Sequence, residues 1–265
     1  MRLRKMVAFE RFLARLVAYQ PGVWLLKGGL VLQWRLGNQA RTTKDLDMLL
    51  TAPIQDIHGA LVQAALLELG DWFRFLAQQP TEPDAHNLVG GLRFLVRALL
   101  DGRPFETFHV DIGWGDPVVE PAEELVAPPL LEFAEIRPTI VPCYPVTQHV
   151  AVKLHAYTRP RMSGASSRVK DLVDILLIGR MRTMDGAMLR KALRATFEAR
   201  GTHPLPLALP DPPASWATSF RKLAREVGME SEVLGDATAL ARRFLEPILR
   251  GRAQGMWDPH TWRWP

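Results

Sequence analysis

Apolar and polar residues alternate along the first part of the chain at the spacings of a helix and then of a strand. Five apolar residues recur every three or four positions, as on one face of an amphipathic helix: Met6, Phe9, Leu13, Leu16 and Val17. The apolar run at 23–26 predicts a short buried strand. Gly28-Gly29 then opens a second helix, which Gly37-Asn38 ends near Leu36.

Three further strands and one helix are predicted before residue 115. Residues 45–50 alternate as a strand, and residues 57–69 have the spacing of a helix. Residues 91–100 and 105–114 are predicted as the two strands of a hairpin, because Asp101-Gly102 between them favours a tight turn.

The second half of the chain has a helical pattern. Prolines interrupt the segment from residue 117 to residue 145, and helices are predicted after it over about 147–157, 167–178, 185–198 and, in two pieces, 215–249. We therefore predict an α+β fold in two domains. Residues 1–145 form a small mixed sheet with helices, and residues 146–265 form a helical domain that completes a ligand cleft.

Charge and cysteine content narrow the classes of function. The net charge of +5 and the pI of about 9.6 fit a polyanionic partner such as RNA or a triphosphate substrate. The single cysteine, Cys143, excludes an intrachain disulfide and a thiolate zinc site, and favours a reducing cytoplasm. No apolar stretch is long enough to span a membrane, and Glu10, Arg11 and Arg15 interrupt any signal peptide.

Two aspartates on the predicted strand at 45–50 give the strongest chemical signal. Because side chains alternate along a strand, Asp45 and Asp47 project from one face while Leu46 and Met48 point to the core. Two carboxylates this close repel each other, and a hard divalent cation relieves the repulsion by taking oxygen ligands from both. Magnesium is the usual cation where phosphates supply the other ligands.

A third aspartate is predicted on the second strand of the hairpin. Asp111 shares a polar face with Thr107 and His109. If this strand lies beside the strand at 45–50, Asp111 joins Asp45 and Asp47 in a cluster that could hold two metal ions. Such sites stabilise the attacking and leaving oxygens in nucleotidyl transfer.

The glycine pair at the preceding strand-to-helix turn supports this interpretation. Gly28 and Gly29 would let a phosphate approach the backbone, where the N-terminus of a helix favours negative charge. Lys27 adds positive charge, unless it is simply an exposed residue. By itself, an Asp-x-Asp on a strand is more often a solvated edge, and the glycine pair and Asp111 favour the catalytic alternative.

Three segments together resemble the AbiEii/AbiGii-type (MenT-like) toxins of the DNA polymerase β-like nucleotidyltransferase superfamily. The first is WLLKGGLVLQWRLGNQARTTKDLDMLL at 24–50, the second is FHVDIGWGD at 108–116, and the third is VAVKLHAYTRPRMSGASSRVKDLVDILLI at 150–178. Each segment alone is a weak signal, but the ordered set is specific. The resemblance covers most of the chain.

The resemblance implies a nucleotidyltransferase-like N-terminal domain and a metal-dependent nucleotidyltransferase that uses Mg²⁺ or Mn²⁺. The implied catalytic residues are Asp45, Asp47, Asp111, Lys153 and Asp171. The implied nucleotide-binding residues are Gly28, Gly29, Lys153 and Arg168, and the implied metal ligands are Asp45, Asp47 and Asp111.

The resemblance also implies a biological role and a set of partners. The chain would be the toxin of a toxin–antitoxin pair, with a cognate antitoxin protein, and would transfer a nucleotide from a nucleoside triphosphate to the 3′ end of tRNA, which blocks translation. One alternative is a nucleotidyltransferase that modifies a protein or a small molecule. The other is a catalytically inactive relative that only binds nucleic acid.

Several features of the second half keep simpler explanations. Arg168, Asp171 and Asp174 lie three residues apart, which by spacing alone is typical of a surface ion-pair ladder. A basic cluster could contact an RNA backbone: Arg159, Arg161, Arg168 and Lys170. Three C-terminal tryptophans could stack on bases, although such a tail more often packs on its own domain: Trp257, Trp262 and Trp264.

Overall fold

The computed structural model describes residues 3–80, 90–160 and 168–265, which form seven β-strands and eight α-helices. The strands are β1 (Trp24–Lys27), β2 (Asp45–Leu50), β3 (Phe73–Ala77), β4 (Gly91–Leu100), β5 (Arg103–Gly113), β6 (Glu123–Val126) and β7 (Ile140–Cys143). The helices are α1 (Leu3–Tyr19), α2 (Gly28–Leu36), α3 (Ile57–Ala65), α4 (Val146–Thr158), α5 (Val169–Met181), α6 (Gly186–Arg200), α7 (Ala217–Glu226) and α8 (Leu234–Leu249). The predicted α+β class is confirmed.

All seven strands belong to one mixed sheet in the order β3-β4-β5-β2-β1-β7-β6. The pairs β2–β5 and β1–β7 are parallel, and the other neighbouring pairs are antiparallel. The predicted hairpin is formed by β4 and β5. Asp101 and Gly102 at its turn have φ angles of 49° and 73°, because a two-residue turn of this hand needs positive φ at both positions.

The apolar core of the sheet lies on one face, and this decides where the aspartates point. Phe9 and Phe12 of α1 are fully buried against Phe108 of β5, with ring centroids 4.9 and 5.8 Å apart. In β2, Leu46 and Met48 are also fully buried. Because successive side chains of a strand point to opposite faces, the polar residues between these positions project from the other face.

The chain divides into two compact units. The first, the sheet unit, consists of Met1–Arg35, Thr42–Asp116 and Ala122–Tyr144. The second, the helical unit, consists of Leu36–Arg41, Pro117–Pro121 and Pro145–Pro265. Two short segments from the first half of the chain therefore belong to the helical unit.

The tryptophans near the C-terminus pack within the helical unit. Their indole N–H groups donate to the backbone carbonyls of Gly179, Leu240 and Phe244, at 2.7, 2.9 and 2.8 Å for Trp257, Trp262 and Trp264 respectively. The Trp257 side chain is fully buried, and all three rings lie against the ring of Phe244. The three tryptophans of the C-terminal tail thus pack on their own unit, which was the simpler of the two explanations for them.

Three strands and one helix end differ from the sequence prediction. Strands β3, β6 and β7 were not predicted, and β6 and β7 lie in the segment interrupted by prolines. Helix α3 ends at Ala65 and not near residue 69. The sheet is therefore larger than the small one that the sequence pattern predicted.

Candidate active site

A row of charged residues crosses four neighbouring strands of the sheet. Lys27 of β1 is paired with Asp47 of β2, Asp47 with Asp111 of β5, and Asp111 with Arg93 of β4. Directly paired residues on neighbouring strands share a face of the sheet, so these four side chains belong to one face. Asp45, two residues before Asp47, shares the same face. We call these five residues the sheet cluster.

The glycine turn between β1 and α2 makes room for the Asp47 carboxylate. Gly28 has a φ of 74°, and a Cβ atom at this position would lie only 2.0 Å from Oδ2 of Asp47. Any other residue would therefore both strain the backbone and displace the carboxylate. Glycine at position 28 thus allows Asp47 to approach the first residue of α2, where the helix dipole favours a negative charge.

Arg93 holds Asp111 through both carboxylate oxygens. Its Nε and Nη2 donate to Oδ1 and Oδ2 of Asp111, each at 2.6 Å. The hydrogen bond to Asp111 is the main cause of the raised pKa of Arg93, and the negative charges of Asp111, Asp45 and Asp47 add to it against the effect of burial. The partners of Asp45 are more distant. Its Oδ2 lies 3.9 Å from Nη2 of Arg93, and its Oδ1 lies 3.6 Å from Nδ1 of His109.

The donor atoms of the sheet cluster match a hard divalent cation. Asp45 and Asp47 offer oxygens from one face of β2, and the Asp45 side chain is 38% exposed, so an ion can reach it. Both oxygens of Asp111 accept from Arg93, but a carboxylate has about four lone-pair sites and keeps some acceptor capacity. Among the described residues, no three His, Cys, Asp or Glu side chains already surround a common metal position. The fit is therefore best at Asp45 and Asp47, with Asp111 shared with Arg93.

Lys27 is not the exposed residue that one interpretation of the sequence allowed. Its side chain is buried, and its Nζ lies 3.4 Å from Oδ2 of Asp116 and 5.8 Å from the ring centroid of Tyr144. Tyr144 also donates a hydrogen bond to Asp116 at 3.3 Å. Lys27 thus has its positive charge matched by Asp116 next to the glycine turn.

A second group of charged residues lies inside the helical unit. Nζ of Lys153 on α4 lies 2.6 Å from Asp174 and 3.2 Å from Asp171, both on α5. Arg41 donates to both oxygens of Asp174, at 2.9 Å each. We call these four residues the helical cluster. Asp174 is completely buried and Asp171 nearly so, which excludes a surface ladder.

Burial and charge compete over the ionisation of this cluster. Burial disfavours the charged forms most strongly, which would raise the pKa of Asp174 and lower that of Lys153. For Asp174, the positive charges of Lys153 and Arg41 outweigh burial and lower the pKa. For Lys153, the negative charges of Asp174 and Asp171 outweigh burial and raise the pKa. Both groups are therefore charged at neutral pH.

Two arginines that the sequence analysis did not select complete these clusters. Arg93 was part of a predicted strand, and Arg41 lies in the first motif segment. The local sequence around each arginine does not indicate which residue it contacts. Of the predicted residues, Arg168 lies at the start of α5 with Nη1 3.4 Å from Oδ2 of Asp171. Gly29 is buried in the first turn of α2. Arg161, of the basic cluster, falls outside the described residues.

The chain belongs to the family described as the nucleotidyl transferase AbiEii toxin of type IV toxin–antitoxin systems, whose model matches residues 11–263. It is therefore a nucleotidyltransferase toxin, as the resemblance implied. Membership in this family implies a nucleoside triphosphate substrate and an antitoxin partner.

Solved structures support the same fold. MenT4, a nucleotidyltransferase toxin from Mycobacterium tuberculosis H37Rv, is 21% identical with a TM-score of 0.53, and the match covers 93% of this chain and 91% of that one. JHP933 from Helicobacter pylori is 13% identical with a TM-score of 0.50, and 95% of each chain is covered. No curated protein sequence matches the chain. At these identities the likeness establishes the fold.

The helices were also compared with the length and hydropathy that a bilayer requires. None of those in residues 3–80, 90–160 and 168–265 combines enough length with enough apolar character to cross a membrane.

Proposed function

We propose that this toxin transfers a nucleotide from a nucleoside triphosphate to the 3′ end of tRNA in the cytoplasm, and thereby blocks translation. The observation that carries the catalytic part is the same-face pair Asp45 and Asp47 beside the glycine turn at Gly28. These two partly buried carboxylates, with Arg93 and His109 only loosely placed around Asp45, would form a binding site for a divalent cation. The tRNA acceptor is the part that rests on the family resemblance.

The sheet cluster would perform the transfer step. Asp45 and Asp47, with Asp111, would hold Mg²⁺ or Mn²⁺, which when bound supplies positive charge to the phosphates and to the attacking hydroxyl. That hydroxyl oxygen forms a bond to the α-phosphorus, and the bond from the α-phosphorus to the bridging oxygen of the β-phosphate breaks. Pyrophosphate leaves, and the hydroxyl proton passes to a carboxylate of the sheet cluster.

Binding of the triphosphate would use cations and backbone N–H groups. Lys153 has three N–H donors, and Asp171 and Asp174 account for two of them among its described contacts, so one donor is left for a phosphate oxygen. Asp171 would keep Lys153 and Arg168 in position, which gives a physical reason for its predicted importance. The turn at Gly28 and Gly29 would offer N–H groups at the start of α2.

Positive charge supports an RNA acceptor. The chain carries a net charge of +5. Arg159 and Lys170, two described members of the basic cluster, follow α4 and begin α5, the helices that carry Lys153 and Asp171. Contacts from such residues to phosphates release counterions, so RNA affinity should fall steeply as salt concentration rises.

The test is to incubate the purified protein with each α-labelled nucleoside triphosphate, Mg²⁺ and total cellular RNA, and to identify the labelled molecule. We expect label at the 3′ end of tRNA, and none with the Asp47→Asn variant. Glu68→Gln is the matched control, since it removes a highly exposed carboxylate of the sheet unit that pairs only weakly with Arg74.

Label on a protein in a cell extract, with every RNA unlabelled, would contradict the tRNA acceptor and leave the metal and triphosphate chemistry standing. Equal labelling by the Asp47→Asn variant and the parent protein would contradict the catalytic site itself. Absence of transfer to any acceptor, in a folded protein that binds RNA, would favour the catalytically inactive relative.

A further inference from the structure

Six arginines of the helical unit line two grooves that border α8. Arg190, Arg194 and Arg250 line the larger groove, of about 750 Å³. Arg243, Arg252 and Arg263 line the smaller groove, of about 340 Å³. Both grooves border α8, since Leu249 lines the larger one and Pro247 lines the smaller one. We call these six arginines the α8 basic surface.

Little negative charge balances this surface. Glu198 is the acidic residue in the lining of the larger groove, and the smaller groove is lined by no acidic residue of the described chain. Arg250 pairs with Glu246 at 2.7 Å, whereas the other five arginines have no ion pair with a described carboxylate. Guanidinium groups with few carboxylates among them repel one another, and this repulsion is relieved when an anion binds among them.

The backbone and the aromatic tail fix parts of this surface in place. Gly251 has a φ of 67°, and a Cβ atom there would lie 2.5 Å from both terminal nitrogens of Arg190. The guanidinium of Arg190 therefore lies flat against the chain, one residue beyond Arg250. Trp262 and Trp264 form a wall of the smaller groove, and their indole N–H groups are already bonded to backbone carbonyls. Their half-buried rings are thus held rigidly beside Arg252 and Arg263.

We infer that the α8 basic surface binds the sugar–phosphate backbone of the RNA acceptor. Arginine forks match phosphate oxygens in pairs, and a run of several arginines with few acids matches the regular negative charge of RNA. The shallow, open form of the grooves suits a chain of phosphates better than one buried small anion. This inference rests on the proposed RNA acceptor, and it adds binding residues beyond the basic cluster around Arg159 and Lys170.

The test measures direct binding of fluorescein-labelled total tRNA by anisotropy over a series of salt concentrations, with no nucleotide present. The variant is Arg243→Gln, Arg252→Gln and Arg263→Gln combined. We expect its RNA affinity at about 0.1 M salt to be lower by about tenfold or more, and the slope of log affinity against log salt to be shallower by about 2. The affinity for a non-hydrolysable triphosphate should be unchanged.

Two further variants make the outcome decisive. Arg74→Gln, Arg103→Gln and Arg221→Gln combined remove the same charge from exposed positions outside the surface, and should retain RNA affinity. Replacement of Arg243, Arg252 and Arg263 by Lys should retain most of the salt slope. An equal loss in the control triple variant would overturn the inference, as would unchanged RNA binding in the surface variant. If RNA binds through this surface but receives no label, the proposed transfer fails while this inference stands.

Discussion

The sheet cluster and the helical cluster contain the same kinds of charged residue but differ in how completely their charges are matched. In the helical cluster, Asp174 is fully buried and accepts from two cations at 2.6–2.9 Å. In the sheet cluster, Asp45 is 38% exposed, and it lies 3.9 Å from Nη2 of Arg93 and 3.6 Å from Nδ1 of His109. A carboxylate with unmatched charge can exchange partners with a cation or substrate, whereas a fully matched one stabilises the fold. We therefore expect Asp45 to exchange partners during the reaction and Asp174 to hold its cations in place.

The largest expected effect is on catalysis by the sheet cluster. We expect Asp47→Asn to lower nucleotide transfer by about 10²- to 10³-fold, the range found when one electrostatic contact to a reacting group is removed. The melting temperature should change little, because relief of the repulsion from Asp45 and Asp111 offsets the lost attraction to the start of α2. Single-turnover transfer and thermal melting measure the two effects. A large drop in melting temperature would mean that Asp47 is a structural residue like Asp174.

The next effect is on stability, through the helical cluster. Asp174→Ala leaves the largely buried Arg41 and Lys153 without their shared carboxylate, and loss of one partner of a buried ion pair costs about 3–5 kcal/mol. Urea denaturation should show this loss. Glu230→Ala is the matched control, since its pair with Arg180 is largely exposed and should contribute less than about 1 kcal/mol. Similar losses of stability in both variants would mean that the buried ion pairs of Asp174 contribute no more than the exposed pair of Glu230.

The smallest effect concerns Arg93, the cation within the sheet cluster. Arg93→Gln removes a positive charge beside Asp111 and Asp45, so these carboxylates should attract a divalent cation more strongly, by about 1 kcal/mol or several-fold. Titration with Mn²⁺ would show the change in affinity, and Arg93→Lys should show little change. A weaker affinity for Mn²⁺ in Arg93→Gln would indicate that the arginine holds Asp111 in its binding position and does not compete with the metal.

The positions of site residues within a single strand could be predicted from the sequence. Contacts between residues of two different elements could not. Alternation fixes the common face of Asp45 and Asp47, and β2 begins and ends at the predicted residues. The pairing of Asp111 with Asp47 depends on β5 lying parallel beside β2, which the sequence left conditional. Arg93 and Arg41 depend on contacts across strands and across 133 residues, for which no local pattern exists.

The missed strands have a similar explanation. β6 and β7 have four residues each, too few for alternation to be distinguished from a loop. Pro142 in β7 also argues against a strand, because proline has no N–H to donate. β7 is nevertheless held between β6 and β1, where backbone pairing outweighs the local preference. β3 is also short. It follows a short loop after α3, and its side chains alternate between buried and exposed only from Phe73 to Leu76.

The bond between Arg41 and Asp174 has a consequence for a chain that is still being synthesised. Asp174 is added 133 residues after Arg41, so at bacterial or eukaryotic elongation rates of roughly 5–20 residues per second the ribosome needs roughly 7–27 s to supply it. Asp171, the other carboxylate at Lys153, emerges only three residues earlier. A nascent toxin can thus pair the strands of its sheet while its helical cluster is still absent. The bond between Arg41 and Asp174 therefore forms only after that interval has passed.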